Sequence, residues 1–245
     1  MCKKIIQTMI TTVGLLLLWQ VFISVTHTPP YLLPSPLAVF QKMFSNGSEL
    51  MKNTAITAWE IFLSLLIGII LGIATALLLH SNRHIRQWLH PVILASQAVP
   101  VYALGPILML WFGYGLTPKI IIAVIIIFFP ITTAAYDGLR HTPPHYIALA
   151  ETMNASRLSI LWHIRLPAAL PTFASGIRTA AVIAPIATII GEYIGGSQGL
   201  GYLMQYGINR SQTDLAFAAV LVITAFTLLL YALIDTFLNR LVYWR

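Results

Sequence analysis

Charge is what this sequence has least of. Asp, Glu, Lys and Arg make up 9% of its 245 residues, and only 7 are acidic. Soluble domains carry about 25% charged residues, so a water-soluble globule of this length cannot cover its surface with so few. Soluble enzymes, nucleic-acid-binding proteins and disordered chains are excluded as classes. Cysteine is nearly missing too: Cys2 stands alone, so no intramolecular disulfide can form. There is no GxxxxGK[ST] loop to cradle nucleotide phosphates, and no Ser/His/Asp or Cys/His constellation for catalysis. His80 and His84 stand i, i+4, but no third ligand accompanies them, so no metal centre is expected.

Apolar residues dominate instead, at 58%, with a mean hydropathy of +0.82. The expectation is an all-α polytopic membrane protein, one transmembrane domain over 1–245 in a lipid bilayer. A helix needs about 20 apolar residues to cross the hydrocarbon core. The charge-free intervals place spans near 7–26, 55–79, 92–113, 118–136, 172–192 and 215–237. The run from Ile5 to Val25 is long and no small-x-small cleavage site follows it, so it reads as a retained span. Arg178, inside the fifth span, is expected to snorkel to the headgroups.

Six spans put both termini on one side. Lys3, Lys4, Arg83, Arg86, Arg140, Arg157, Arg165, Arg178, Arg240 and Arg245 then face Lys42, Lys52, Lys119 and Arg210 across the bilayer. The excess of positive charge marks the terminal side as cytoplasmic and accounts for the net charge of +7. Pro100 and Pro106 fall within the third span and Pro130 within the fourth, where they loosen helix hydrogen bonding. Gly68 and Gly72 form a GxxxG, and Gly176, Ala180 and Ala184 line one face of the fifth span. Such faces admit close helix packing, within the chain or across a dimer.

Three acids lie at or near membrane depth. Glu60 follows Trp59 and reads as interfacial. Asp235 reads as a partner of Arg240 or a headgroup residue. Glu192 ends the fifth span among glycines.

The connection from Asp137 to Pro171 is amphipathic and too long for a tight turn. A helix is expected over 145–153, ended by Asn154 in a left-handed conformation. Ser156 is expected to cap a second short helix running to about Ile164, before Leu166-Pro167. Its apolar residues Leu158, Ile160, Leu161 and Trp162 suit a groove on a partner or a lipid surface. Composition alone leaves both open.

This segment resembles the cytoplasmic loop of permease subunits of bacterial binding-protein-dependent ABC importers. That family carries Glu-Ala-Ala, three residues, Gly, nine residues, then Ile-x-Leu-Pro. Ile164, Leu166 and Pro167 match the end of the pattern, Ala150 its second alanine and Asn154 the glycine position. Ala148 and Leu149 depart from Glu-Ala. Leu33-Pro34-Ser35-Pro36, Val99-Pro100, Leu104-Gly105-Pro106, Trp111–Gly115, Gly191-Glu192 and Gly199–Tyr202 resemble the family elsewhere along the chain. The nearest subfamily serves alkanesulfonates, taurine, nitrate and the pyrimidine precursor of thiamine. The stretch 201–219 looks closest to the thiamine-precursor permeases.

The resemblance implies a transport subunit of the bacterial inner membrane, not an enzyme. ATP and Mg would sit on a separate ABC ATPase subunit, with no cofactor in this chain. A periplasmic substrate-binding protein, a second permease copy and no nucleic acid complete the expected partners. Ala150, Asn154, Ala155, Ser156, Leu158, Trp162, Ile164, Leu166 and Pro167 would couple to the ATPase. Gln97, Tyr102, Thr132, Tyr136, Glu192 and Tyr202 would line the path or its gate. The competing class is an ion-coupled carrier, which needs buried acids; Glu60 and Glu192 are its candidates.

Overall fold

The computed structural model describes residues 2–242, so Arg245 lies outside the described residues, as do the side chains of Lys3 and Lys4. All its regular elements are helices. In chain order they are α1 (Cys2–Thr26), α2 (Pro36–Ser45), α3 (Gly47–Ser81), α4 (Arg83–Ser96), α5 (Val101–Phe112), α6 (Leu116–Arg140), α7 (Pro144–Thr152), α8 (Arg157–Ile160), α9 (Leu166–Gly195), α10 (Leu200–Asn209) and α11 (Thr213–Leu241).

Four helical stretches are long and apolar enough to cross a membrane: Gly47–Ser81, Leu116–Arg140, Arg157–Gly195 and Thr213–Leu241. The expected third span is not one straight helix. It is broken between Ser96 and Val101 into α4 and α5, which are bent by 99°. The cause is Pro100, which has no N–H and drives Val99 out of the helical region. Counted as one, the bent pair makes a fifth span, and α1 adds the shorter apolar helix Val13–Thr26.

α3, α6 and α9 form the centre, and small residues let them approach. A side chain at Gly68 would collide with Ile127 of α6, one at Gly72 with Ile131, and one at Gly176 with Ala134 and the Pro130 carbonyl. The small-residue faces therefore serve packing within the chain. Ile61, Ile127, Ile131, Ala180 and Ala184 fill the space between the three helices. A second core joins α2, α10 and α11 through Val39, Leu200, Leu203, Leu215 and Ala218. α1 reaches it through Trp19, whose ring lies 5.6 Å from Phe217.

Two charged residues find partners the sequence did not name. Arg178 Nε donates to Asp235 Oδ1 at 2.6 Å and its NH2 to Asn239 Oδ1 at 2.8 Å. Asp235 thus pairs across to α9 and not with Arg240 on its own helix.

Overpacking the central contact is expected to destabilise the fold. Gly176→Val drives a branched side chain into the α6 backbone and should cost about 1–3 kcal/mol. Gly14→Val, which meets nothing within 4 Å, should leave stability unchanged. Thermal unfolding of both variants in detergent checks this.

Candidate functional site

α3 carries an unusual stripe for a membrane helix: Asn53, Thr57, Glu60 and Ser64 follow one face and all four are buried. Ser64 returns its hydroxyl to the Glu60 carbonyl. The other three side chains reach other helices, and together they hold the turn between α9 and α10.

Glu192, fully buried near the end of α9, anchors that turn. Its Oε2 accepts from the Gly201 amide at 2.6 Å, and its Oε1 accepts from Thr57 Oγ1 at 2.7 Å. Thr57 Oγ1 in turn accepts from the Leu200 amide at 2.9 Å. Asn53 Oδ1 accepts from the Gly199 amide at 2.7 Å. The amides of Gly199, the cap of α10, and of its first two residues have no partner within the helix and are thereby satisfied by side chains, as burial requires. Gly199 adopts φ +109 and a Cβ there would overlap the Glu192 carboxylate, so glycine is required twice over.

Beside this lies an ion pair. Lys119 Nζ donates to Glu60 Oε1 at 2.7 Å and to the Gln198 carbonyl at 3.4 Å. Both side chains are almost completely buried within the protein. α9 passes so close that a Cβ at Gly191 would sit 3.0 Å from Lys119 Cα. The sequence reading placed Lys119 at the outer start of the fourth span without a partner and missed Asn53 and Thr57. The i, i+4, i+7, i+11 polar spacing along 53–64 was the available signal.

Of the expected path residues, the structure brings Glu192 to this network. Tyr202, half-buried on α10, lies tilted against Tyr206 with 5.9 Å between ring centroids. Gln97 and Tyr102 are exposed on either side of the α4–α5 break and take no part. Thr132 is buried on α6 with an unpartnered hydroxyl. Tyr136 is buried under α4, 5.9 Å from the His90 ring.

At the opposite end, the 137–171 connection forms as expected in its first half. α7 ends at Met153, Asn154 takes φ +59, and the Ala155 amide donates to the Ala150 carbonyl at 3.0 Å. That six-residue return is a Schellman-type stop. Ser156 Oγ accepts from the Ser159 amide at 3.2 Å, capping α8. The second half differs. The helix does not stop before Leu166-Pro167 but continues through a π turn, Leu161–Arg165, into α9. The Leu166 amide donates to the Leu161 carbonyl, a five-residue step that lets Pro167 enter without breaking the rod.

Leu158 and Trp162 are exposed one turn apart, at 67% and 62%. Leu149 on α7 and Met153 just after it are exposed too and were not expected. Ile160, expected outside, is buried, and so is Ala150; Leu161, Ile164, Leu166, Pro167 and Ala155 are half-buried, while Asn154 and Ser156 are exposed.

Comparison with known proteins agrees with this architecture. The family described as binding-protein-dependent transport system inner membrane component matches residues 68–243. A probable ABC transporter permease protein of Haemophilus influenzae is 48% identical, covering 94% of each chain. The formylaminopyrimidine transport permease protein ThiX of Halalkalibacterium halodurans is 33% identical, covering 94% of this chain and 92% of its own. The riboflavin transport system permease protein RibX of Chloroflexus aurantiacus is 35% identical, covering 96% and 89%. Among solved structures, the MetNI methionine ABC transporter in an inward-facing conformation superposes with a TM-score of 0.67 over 82% of this chain and 97% of its own, at 17% identity. That last likeness is one of fold.

The buried pair makes a sharp expectation. Lys119→Met leaves Glu60 as a lone buried charge and should cost about 3–5 kcal/mol, whereas Lys119→Met with Glu60→Gln should recover most of it. Thermal unfolding of the single and double variants measures the difference.

Proposed function

This chain belongs to the binding-protein-dependent transport system inner membrane components, and we propose that it imports a pyrimidine precursor of thiamine. It is a multi-pass permease subunit of an ABC importer, a transport component and not an enzyme. The finer reading covers cargo, coupling and assembly.

For coupling, the supporting observation is the apolar ridge of Leu149, Met153, Leu158 and Trp162, exposed at one end of the molecule. It is held by the Asn154 stop and the Ser156 cap, so its shape is set before any partner arrives. In this reading the ridge enters a groove on the ABC ATPase, which binds ATP and Mg. Two identical permease copies pair with two ATPases, both termini of each copy face the cytoplasm, and a periplasmic binding protein delivers cargo to the other side. Glu192 and its turn form the outer gate. The carrier alternative loses ground because Glu60 is already neutralised by Lys119.

For cargo, the support comes from relatives. Two that are 33% and 35% identical carry formylaminopyrimidine and riboflavin in their names. Both compounds are nitrogen heterocycles. The 201–219 stretch favours the pyrimidine.

Two measurements test the reading. Cells lacking this chain should lose uptake of labelled hydroxymethylpyrimidine and regain it on complementation, with excess unlabelled taurine failing to compete. Retained uptake, or competition by taurine or riboflavin, would reassign the cargo. Separately, Leu158→Asp with Trp162→Asp should abolish co-purification of the P-loop ATPase while the melting temperature holds, since both side chains are exposed. Undiminished co-purification overturns the coupling assignment.

A further inference from the structure

A cleft of about 350 Å³ opens at the same end of the molecule as the 137–171 connection, and neither the coupling ridge nor the Glu192 network uses it. Arg86, Gln87, His90, Pro91, Tyr136 and Arg140 line it. The polar residues come as two i, i+4 pairs: Arg86 and His90 on α4, Tyr136 and Arg140 on α6. Asn82 starts α4 by accepting from the His84 and Ile85 amides at 2.8 and 3.3 Å, and Ile93 seats it against Ala76, Leu79 and Ala135. The two pairs therefore face one cleft from packed helices and not from loops.

The chemistry of the lining is one-sided. Among the described residues, neither arginine has a carboxylate within 4.0 Å, although Arg178 and Lys119 both have one. The Tyr136 side chain is 4% exposed, yet its hydroxyl has no hydrogen-bond partner among the described residues and is not sealed from solvent. A buried ring whose hydroxyl opens on a cleft between two arginines is a donor waiting for an acceptor. Gln87 and His90 add further hydrogen-bonding groups, and no carboxylate lines the cleft.

We propose that this cleft binds a phosphate group through Arg86, Arg140 and the Tyr136 hydroxyl. Guanidinium forks match phosphate oxygens two at a time, and a neutral hydroxyl completes the set. The phosphate has two possible sources, an acidic lipid headgroup and a free phosphate ester. The surroundings favour the headgroup. Trp88, two residues from Arg86, is 80% exposed, and Val92 and Leu94 are exposed along the same helix. An exposed tryptophan beside arginines at the end of apolar helices marks the level of the bilayer interface. A basic cleft between membrane helices at that level suits an anionic lipid.

Native mass spectrometry of the full-length chain in mild detergent tests the site. The probes are phosphatidylglycerol, phosphatidylcholine and inorganic phosphate, each titrated onto wild type, Arg86→Gln with Arg140→Gln, and Tyr136→Phe. Wild type should retain phosphatidylglycerol over phosphatidylcholine, and the double variant should bind phosphatidylglycerol about tenfold more weakly. Tyr136→Phe removes one oxygen from a buried ring and should weaken binding by a smaller factor at unchanged melting temperature. Loss of inorganic phosphate adducts in the variants, with lipid adducts equal to wild type, supports the site and assigns it to a free ester. Equal retention of both lipid and phosphate by wild type and variants overturns the proposal.

Discussion

A single turn, Gly199–Gly201, dictates much of this structure. It is buried and it opens α10, with Gly199 as the cap, so its amides have no partner within the helix and need acceptors that lipid cannot provide. The chain answers with Asn53, Thr57 and Glu192, one acceptor per amide. Those acceptors reach the turn only if α3 and α9 lie side by side at matching depth. That requirement explains why the faces of these helices are lined with Gly and Ala where they meet each other and α6. It also explains Lys119: a cation beside the turn takes the Gln198 carbonyl, and Glu60 keeps that cation from standing alone. The polar network is thus a consequence of one backbone irregularity propagated through three helices.

What the sequence disclosed follows from this division. Charge-free intervals disclosed most of the helices, because a lipid-facing surface excludes charge whatever the helix packs against. Asn154 and Ser156 disclosed the α7–α8 turn, because a left-handed residue and a cap act locally. The misreadings share the opposite property. Glu60 and Lys119 are 59 positions apart, and Arg178 and Asp235 are 57 apart; each looks solvated until its partner is known. The α4–α5 break was half-visible, since Pro100 was noticed but its effect depends on whether neighbours restore the lost hydrogen bonds. The continuity of α8 into α9 was hidden for the same reason. A π turn is a backbone adjustment that Leu166-Pro167 permits and does not compel.

That continuity matters for how the two ends of the molecule communicate. The stretch Arg157–Gly195 counts as one membrane-crossing helix of 39 residues. At 1.5 Å per residue it spans roughly 58 Å. Trp162 of the exposed ridge stands near one end and Glu192 near the other. A helix with its hydrogen bonds intact moves as a rod, so in the proposed function a partner that displaces the ridge tilts the end that carries Glu192. The yielding points are the π turn and the two interior prolines, Pro171 and Pro185.

Tilting that rod cannot be free of cost. Thr57 and Asn53 belong to α3, which is packed against α6 and does not carry the ridge. Moving Glu192 and its turn relative to them breaks the Thr57 bond to the Glu192 carboxyl and the neutral bonds from the Gly199 and Leu200 amides, the neutral ones worth about 0.5–1.5 kcal/mol each. Lys119 and Glu60 stay paired with each other through such a motion, since both lie outside α9. In the proposed function the closed arrangement is the stable one at rest, and a partner that spends ATP supplies the several kcal/mol needed to open it. A spontaneous opening of the same size would be rare, which is what a gate facing a solute gradient requires.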